Sequence, residues 1–146
     1  MKVLYLADTR FPIERANGVQ TMATCRALAT RGHEVTLVVR PDTSRPARDP
    51  FAFYGIDRPS SLTIRTIGGA PGPTARRVRF LIEAALAARA ARSVVFTRDL
   101  GLAALLLALP GPTVRLVYES HGLADVVSAE LPRLLGRPEL APSPAK

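Results

Sequence analysis

The side chains best suited to chemistry fall in three segments: residues 8–18, Thr97-Arg98-Asp99 and Glu119-Ser120-His121-Gly122. His121 follows an apolar run directly and carries a titratable imidazole, which can donate a proton to a sugar hydroxyl or to a leaving phosphate. We therefore name His121 as the candidate catalytic residue, with Glu119, Ser120 and Gly122 as neighbouring binding residues. The alternative is a structural histidine whose ring is satisfied within the fold.

The pair Asn17-Gly18 precedes a helical pattern and forms a second candidate site. Both residues tolerate open backbone geometry, and the N–H groups at the start of a helix suit a phosphate or diphosphate. The alternative is that Asn17 is only the N-cap of the helix and Gly18 eases the turn. The sequence contains no G-x-G-x-x-G motif, which argues against an ordinary NAD-binding domain.

Arginines accompany both segments. Arg15 in the first segment and Arg98 after an apolar run are candidate anion contacts, although each is equally explained as a solvated surface charge. Asp99 is expected to cap the next helix. The single cysteine, Cys25, lies on an apolar helical stripe and is expected in the core, and its solitude excludes a disulfide framework or a cysteine zinc site. We predict no metal and no cofactor.

Apolar runs and helical patterns alternate along the chain, and a fold with this order of elements can bring the three segments together. Strands are predicted at 3–7, 35–39, 62–67, 94–97 and 114–118, and helices at 19–31, about 75–92, 100–109 and from near 123 to 132. This order predicts an α/β fold with a Rossmann-like, doubly wound, mostly parallel sheet. In such sheets ligands bind outside the carboxyl ends of the strands, where all three segments fall.

Two stretches carry more specific expectations. Residues 40–61 contain four prolines and are predicted to form an extended surface loop, which aromatic residues pin to the core. In the long helix, the residues expected to be buried are Val78, Leu81, Ile82, Ala85 and Leu86. Gly32 is expected to end the first helix in a left-handed conformation, with His33 helping to close that helix end.

The net charge of +8 comes from 20 basic and 12 acidic residues, and it favours an anionic partner. Aromatic residues make up 5% of the chain and there is no tryptophan, so only the charge supports nucleic-acid binding and we do not expect it. The arginines of the long helix form either a solvated face or a contact for anionic lipid headgroups. The longest apolar run, 102–109, is too short to span a bilayer, so we expect a cytoplasmic protein, at most peripheral to the inner face of a membrane.

Four segments together carry a family likeness: Lys2-Val3-Leu4-Tyr5-Leu6, Asn17-Gly18-Val19-Gln20, Arg31-Gly32-His33-Glu34-Val35-Thr36 and Glu119-Ser120-His121-Gly122. In order and spacing they resemble the start of a glycosyltransferase family 4 enzyme. The resemblance covers essentially the whole chain.

The resemblance implies the N-terminal half of a GT-B fold, in which two Rossmann-like domains face each other across a cleft. Such enzymes retain the configuration of the sugar and generally need no metal. Gly18 would approach the diphosphate of a nucleotide-sugar, and His121 would lie at the reacting sugar. The chain departs from many members at Asn17, where they carry a second glycine.

The same resemblance sets the expected domain organisation. Residues 1–137 form the acceptor-side domain, and residues 138–146 begin a linker or tail. The family's nucleotide-sugar site, in the second domain, has no counterpart before Lys146. We therefore expect the acceptor-binding half of a glycosyltransferase of cell-surface glycan synthesis, inactive alone, whose acceptor is a saccharide or a lipid-linked saccharide. The alternative is a non-catalytic module that binds a phosphorylated small molecule or a partner protein.

Overall fold

In the computed structural model, which describes residues 1–43, 46–110, 114–120 and 136, five strands form one parallel sheet. They are β1 (Lys2–Phe11), β2 (Glu34–Pro41), β3 (Leu62–Thr66), β4 (Val94–Thr97) and β5 (Arg115–Tyr118). The strand order is β3-β2-β1-β4-β5, and each neighbouring pair is parallel. The predicted α/β, Rossmann-like, doubly wound fold is confirmed.

Helices cover both faces of this sheet, as its apolar central strands require. They are α1 (Ala16–Thr30), α2 (Pro50–Tyr54), α3 (Pro73–Ala90) and α4 (Leu100–Ala108). One core cluster packs α1 and α2 against the sheet, and a second packs α3 and α4 against the opposite face. Cys25 is fully buried in the first cluster, as expected. Among the described helices, none combines the length and apolar composition needed to cross a bilayer.

The central strand β1 is longer than the sequence predicted. It was expected to stop at Ala7, but it continues to Phe11 after an irregularity in its pairing with β2 between Leu6 and Arg10. Phe11 is buried, and its ring lies 5.3 Å from that of Tyr54, so packing of the aromatic residue extends the strand beyond its apolar run. The extension places Asp8 and Thr9 within a strand, at the edge where ligands bind in such folds.

The prediction of an extended loop over residues 40–61 is wrong in part, because α2 lies within it. The Asp49 carboxylate accepts a hydrogen bond from the Ala52 N–H at 3.0 Å, and Pro50 occupies the first turn. These are ordinary helix-start signals that the high proline content concealed. Phe51 is buried in the core and therefore pins the segment, as expected.

Helix α1 begins three residues earlier than predicted, at Ala16, and its end matches the prediction. Gly32 has φ +83°, and its N–H donates to the Ala29 carbonyl at 3.0 Å. The His33 N–H donates to the Leu28 carbonyl at 3.2 Å. These two bonds close the helix in the manner of a Schellman motif. The helix expected from near Leu123 lies outside the described residues.

The buried side of α3 differs from the predicted stripe. Phe80, Ala84, Ala85 and Ala88 are buried, whereas Val78, Ile82 and Leu86 are 51%, 55% and 64% exposed. Only Ala85 was assigned correctly as buried, and Leu81 is half-buried. The alanines allow the helix to lie close to the sheet, where the one large ring of Phe80 fills the space between them. Counting large apolar residues selected the wrong side of the helix.

This assignment predicts different costs for two neighbouring substitutions. Phe80→Ala should lower the free energy of unfolding by about 3–5 kcal/mol, because it leaves a cavity in the core. The control Ile82→Ala should change that free energy by less than about 0.5 kcal/mol, since its side chain is mostly exposed. Urea denaturation followed by circular dichroism measures both. Equal losses for the two variants would contradict the observed orientation of α3.

Candidate functional site

A crevice opens where β1 and β4 diverge at their carboxyl ends. The two strands pair only as far as Leu6 and Thr97, after which α1 covers one face of the sheet and α4 the other. The resulting cavity has a volume of about 330 Å³. It is lined by Tyr5, Ala7, Asp8, Thr9, Asn17, Gln20, Thr21, Arg98 and Asp99. This is the position at which ligands bind in doubly wound sheets.

Thr97 fixes the floor of the crevice. Its buried hydroxyl donates to the Leu6 carbonyl of β1 at 2.9 Å and accepts from the Asp99 N–H at 3.1 Å. The Asp99 carboxylate accepts from the Leu102 N–H at 2.8 Å, so the predicted cap of α4 is confirmed. One hydroxyl therefore holds β1, β4 and the start of α4 together.

Arg98 and Glu119, both predicted site residues, are brought together by the ends of β4 and β5. The Arg98 Nη2 and Nε atoms lie 2.6 Å and 3.1 Å from the two Glu119 carboxylate oxygens, and a third contact at 3.3 Å reaches Gln20. Bidentate contacts between an arginine and a carboxylate are among the stronger ion pairs. Because Glu119 offsets its charge, Arg98 is a weaker anion contact than the sequence alone suggested.

Asp8, which the sequence analysis did not select, is the most buried charge at the crevice. Its side chain is 4% exposed and forms ion pairs with Arg40 at 2.6 Å and Arg77 at 3.1 Å. Burial raises the pKa of the Asp8 carboxyl, the Asp99 charge adds to that rise, and the two arginines oppose it. Its position directly after the apolar run of β1 was the signal that could have identified it.

The Tyr5 hydroxyl also faces the crevice from within the fold. Tyr5 is fully buried, and its hydroxyl has no conventional hydrogen-bond partner among the described residues, although Thr21 lies beside it. Burial raises its pKa to about 12, so the group stays protonated at neutral pH. The hydroxyl therefore lies beneath the surface of the crevice, where it is not exposed to a ligand.

The Asn17-Gly18 segment is arranged differently from either sequence-based interpretation. Arg15 is the N-cap residue of α1, without a side-chain capping bond, so Asn17 is not the cap. Asn17 lies in the first turn, is exposed and lines the crevice. Gly18 is buried, and a Cβ placed there would lie 2.6 Å from both Ile13 Cγ2 and the Tyr54 hydroxyl oxygen. The space next to Gly18 is therefore filled by other parts of the chain and is not open.

Two bonds hold that loop in place. The Tyr54 hydroxyl accepts from the Ile13 N–H and donates to the Ile13 carbonyl, both at 2.9 Å. Gly18 therefore permits α1, the loop before it and α2 to meet, and this accounts for glycine at position 18 without a ligand.

Two further predicted residues of the described part of the chain lie outside the crevice. Arg15 and Ser120 are exposed and do not line the crevice. His121 and Gly122 lie outside the described residues, so their roles stay predictions. Within the described part of the chain, no three His, Cys, Asp or Glu side chains are grouped so that they could hold a metal ion.

A second cavity, of about 440 Å³, lies beside the crevice under residues 46–51. Phe11, Phe51 and Leu62 form part of its apolar wall. Two ion pairs also line it, Arg48 with Asp42 and Arg58 with Asp49. Arg48 stacks 4.3 Å over the Phe53 ring, and its Nη2 donates to the Pro12 carbonyl at 3.1 Å. The cavity gives this segment a concave surface.

The chemistry of the crevice favours a ligand with many hydroxyl groups. Carboxylates (Asp8, Asp99), amides (Asn17, Gln20) and hydroxyls (Tyr5, Thr9, Thr21) supply both acceptors and donors. Arg98 is the one cation among the lining residues that the structure describes, and Glu119 already offsets it. A diphosphate would meet carboxylates here, and the arginines beside them are already paired, Arg40 and Arg77 with Asp8 and Arg98 with Glu119.

The packing at Gly18 predicts a loss of stability on enlargement. Gly18→Ala should lower the free energy of unfolding by about 1–3 kcal/mol, because the added methyl group overlaps Ile13 and Tyr54. Gly69→Ala is the matched control, since a Cβ there meets nothing within 4 Å. Thermal or urea denaturation measures the difference. Unchanged stability of the Gly18 variant would contradict the packing role.

Comparisons of the chain with protein-family models, with curated proteins and with solved structures found no match. The fold and the crevice therefore follow from the structure itself, and the family likeness of the four sequence segments stays a prediction.

Proposed function

We propose that this chain is the acceptor-side domain of a retaining glycosyltransferase and that the crevice between β1 and β4 binds a saccharide. The observation that carries the proposal is the lining of the crevice. It combines carboxylate, amide and hydroxyl groups at the ligand-binding edge of a doubly wound sheet. The resemblance to glycosyltransferase family 4 independently implies an acceptor-binding domain with this fold.

Each polar group of the crevice has a counterpart on a sugar. The Asp99 carboxylate would accept hydrogen bonds from sugar hydroxyls, and the Asn17 amide would both donate and accept. Hydrogen bonds to charged groups contribute more than neutral ones, so Asp99 should contribute most to recognition.

The adjacent cavity under residues 46–51 extends this surface. Its aromatic and apolar wall suits the ring faces of a second saccharide unit or the first part of a lipid-linked acceptor. The ion pair and ring contact of Arg48 hold the segment in a fixed position, as selective binding requires. We assign acceptor selectivity to this segment.

The transfer reaction would be completed by groups that the crevice does not contain. The family likeness implies a second domain that holds most of the nucleotide-sugar. The glycosidic bond to the nucleotide diphosphate breaks and its electron pair leaves with the diphosphate. The acceptor oxygen bonds to the same carbon of the sugar, and the acceptor proton passes to the departing diphosphate. His121 would lie at the reacting sugar, where an imidazole aligns hydroxyls and stabilises charge.

Titration of the labelled chain with neutral glycans tests the proposal directly. Methyl glycosides of several hexoses should shift the backbone amide signals of Asp8, Thr9, Asn17, Gln20 and Arg98 in nuclear magnetic resonance spectra. Asn17→Ala should weaken binding about fivefold, the loss expected for one hydrogen bond. Thr30→Ala, at the far end of α1 and outside the crevice, should leave the affinity unchanged.

Uridine diphosphate in the same titration separates the two candidate functions. We expect weaker shifts with this nucleotide than with the best glycan, because the arginines at the crevice are already paired with carboxylates. If the nucleotide or inorganic pyrophosphate bound more tightly than every glycan, a phosphate-binding module would replace the saccharide proposal. Absence of crevice shifts with every glycan would contradict it outright.

The catalytic part of the proposal concerns His121. In the full-length protein assayed with radiolabelled nucleotide-sugars, His121→Ala should reduce sugar transfer about 100-fold or more, the range for a lost acid–base group. The circular dichroism spectrum should be unchanged. Equal transfer by the variant and the wild type would remove His121 from the mechanism.

A further inference from the structure

Helix α4 is apolar on all sides, yet one side of it is exposed. No residue from Leu100 to Leu109 has a polar or charged side chain. Leu102, Ala103 and Leu106 pack against the sheet, whereas Leu100 and Leu107 are 64% and 74% exposed. A helix that is apolar all round is ordinarily covered on every side. The outer side of α4 therefore has the composition of a contact surface.

The neighbouring helix α3 continues that surface. Both helices pack in the same core cluster on one face of the sheet. Val78, Ile82 and Leu86 stand four residues apart, which places them on one side of α3, and all are more than half exposed. We call the outer sides of these two helices the α3–α4 face; its exposed apolar residues are Val78, Ile82, Leu86, Leu100, Leu107 and Leu109. A grouping of this kind marks an interaction site more often than scattered leucines do.

A basic concavity adjoins this face at the amino ends of the strands. It has a volume of about 640 Å³, and its cationic lining residues are Lys2, Arg89, Arg92 and Arg115. Arg89 donates to the Leu109 carbonyl at 2.7 Å, so the concavity meets the end of α4 directly. Lys2 is paired with the exposed Glu34 at 3.4 Å. The apolar face and the cationic cluster thus form one continuous surface.

The charge of this region selects the kind of partner. Of the six arginines in residues 73–109, Arg77 and Arg98 are paired with carboxylates at the crevice. The charge beside the α3–α4 face therefore comes from the four cations of the concavity, whose described lining contains no acidic residue. The Asp99 carboxylate caps the N-terminus of α4, and Glu83 is paired with Arg79 at 2.5 Å. A second copy of this chain would bring like charges together, whereas an anionic bilayer complements both the arginines and the apolar side chains.

We propose that the α3–α4 face and the adjoining basic concavity dock this chain on an anionic membrane surface. The exposed leucines enter the boundary between headgroups and acyl chains, and Arg92 and Arg115 contact lipid phosphates. The concavity lies at the amino ends of the strands and the crevice at the carboxyl ends, so docking leaves the crevice open. The proposal goes beyond saccharide binding and does not depend on it.

Flotation with lipid vesicles tests the docking. The wild-type chain should bind vesicles of phosphatidylcholine mixed with phosphatidylglycerol, and binding should weaken at high ionic strength. Leu107→Gln should lower the partition coefficient about tenfold through lost apolar burial. Arg92→Gln should lower it about fivefold, the contribution of one arginine near an anionic surface.

Matched controls lie on α1, on the opposite face of the sheet. Val19→Gln and Arg26→Gln replace exposed residues of the same types and should bind like the wild type. The proposal is overturned if the wild type does not float with anionic vesicles, if it floats equally with pure phosphatidylcholine, or if Leu107→Gln and Val19→Gln partition alike. A dimer in sedimentation equilibrium that Leu107→Gln dissociates would assign the face to self-association instead.

Discussion

The parallel pairing of β1 with β4 is the contact on which the crevice depends. These strands are distant in sequence and adjacent in the sheet, and the chain leaves them toward opposite faces. Thr97 secures this junction, since its buried hydroxyl bonds to both β1 and the start of α4. Without that junction the side chains that follow the two strands would not share one cavity.

The arginines at the crevice that the structure describes are each paired with a carboxylate. Arg40 and Arg77 flank Asp8 from β2 and α3, and Arg98 is held by Glu119. Burial nevertheless dominates at Asp8 and raises the pKa of its carboxyl. The arginine-rich composition therefore does not make the crevice basic. Much of the positive charge supports neighbouring carboxylates, and the rest lies on other surfaces.

Sequence patterns predicted the strands well because most are short apolar runs bounded by breakers, and β3, at an edge of the sheet, alternates apolar and polar residues. β4 was predicted at its observed bounds, and the cap of α4 at Asp99 was also correct. The predictions failed for features that are determined by tertiary packing. Phe11 lengthens β1, Tyr54 makes position 18 a packing site, and the partners of Asp8 come from β2 and α3. None of these contacts is local in sequence, so periodicity carries no sign of them.

Helix α3 shows why apolar spacing alone cannot separate a core from a contact surface. Its apolar residues occupy both sides, and the sheet selects the side with small residues because Phe80 and the alanines allow the closest approach. That selection turns Val78, Ile82 and Leu86 outward, beside the leucines of α4 that also have no place in the core. The exposed apolar surface is therefore a direct consequence of how the second core cluster packs. Because this apolar surface lies beside a basic concavity, we interpret it as a contact surface and not as a chance excess of leucine.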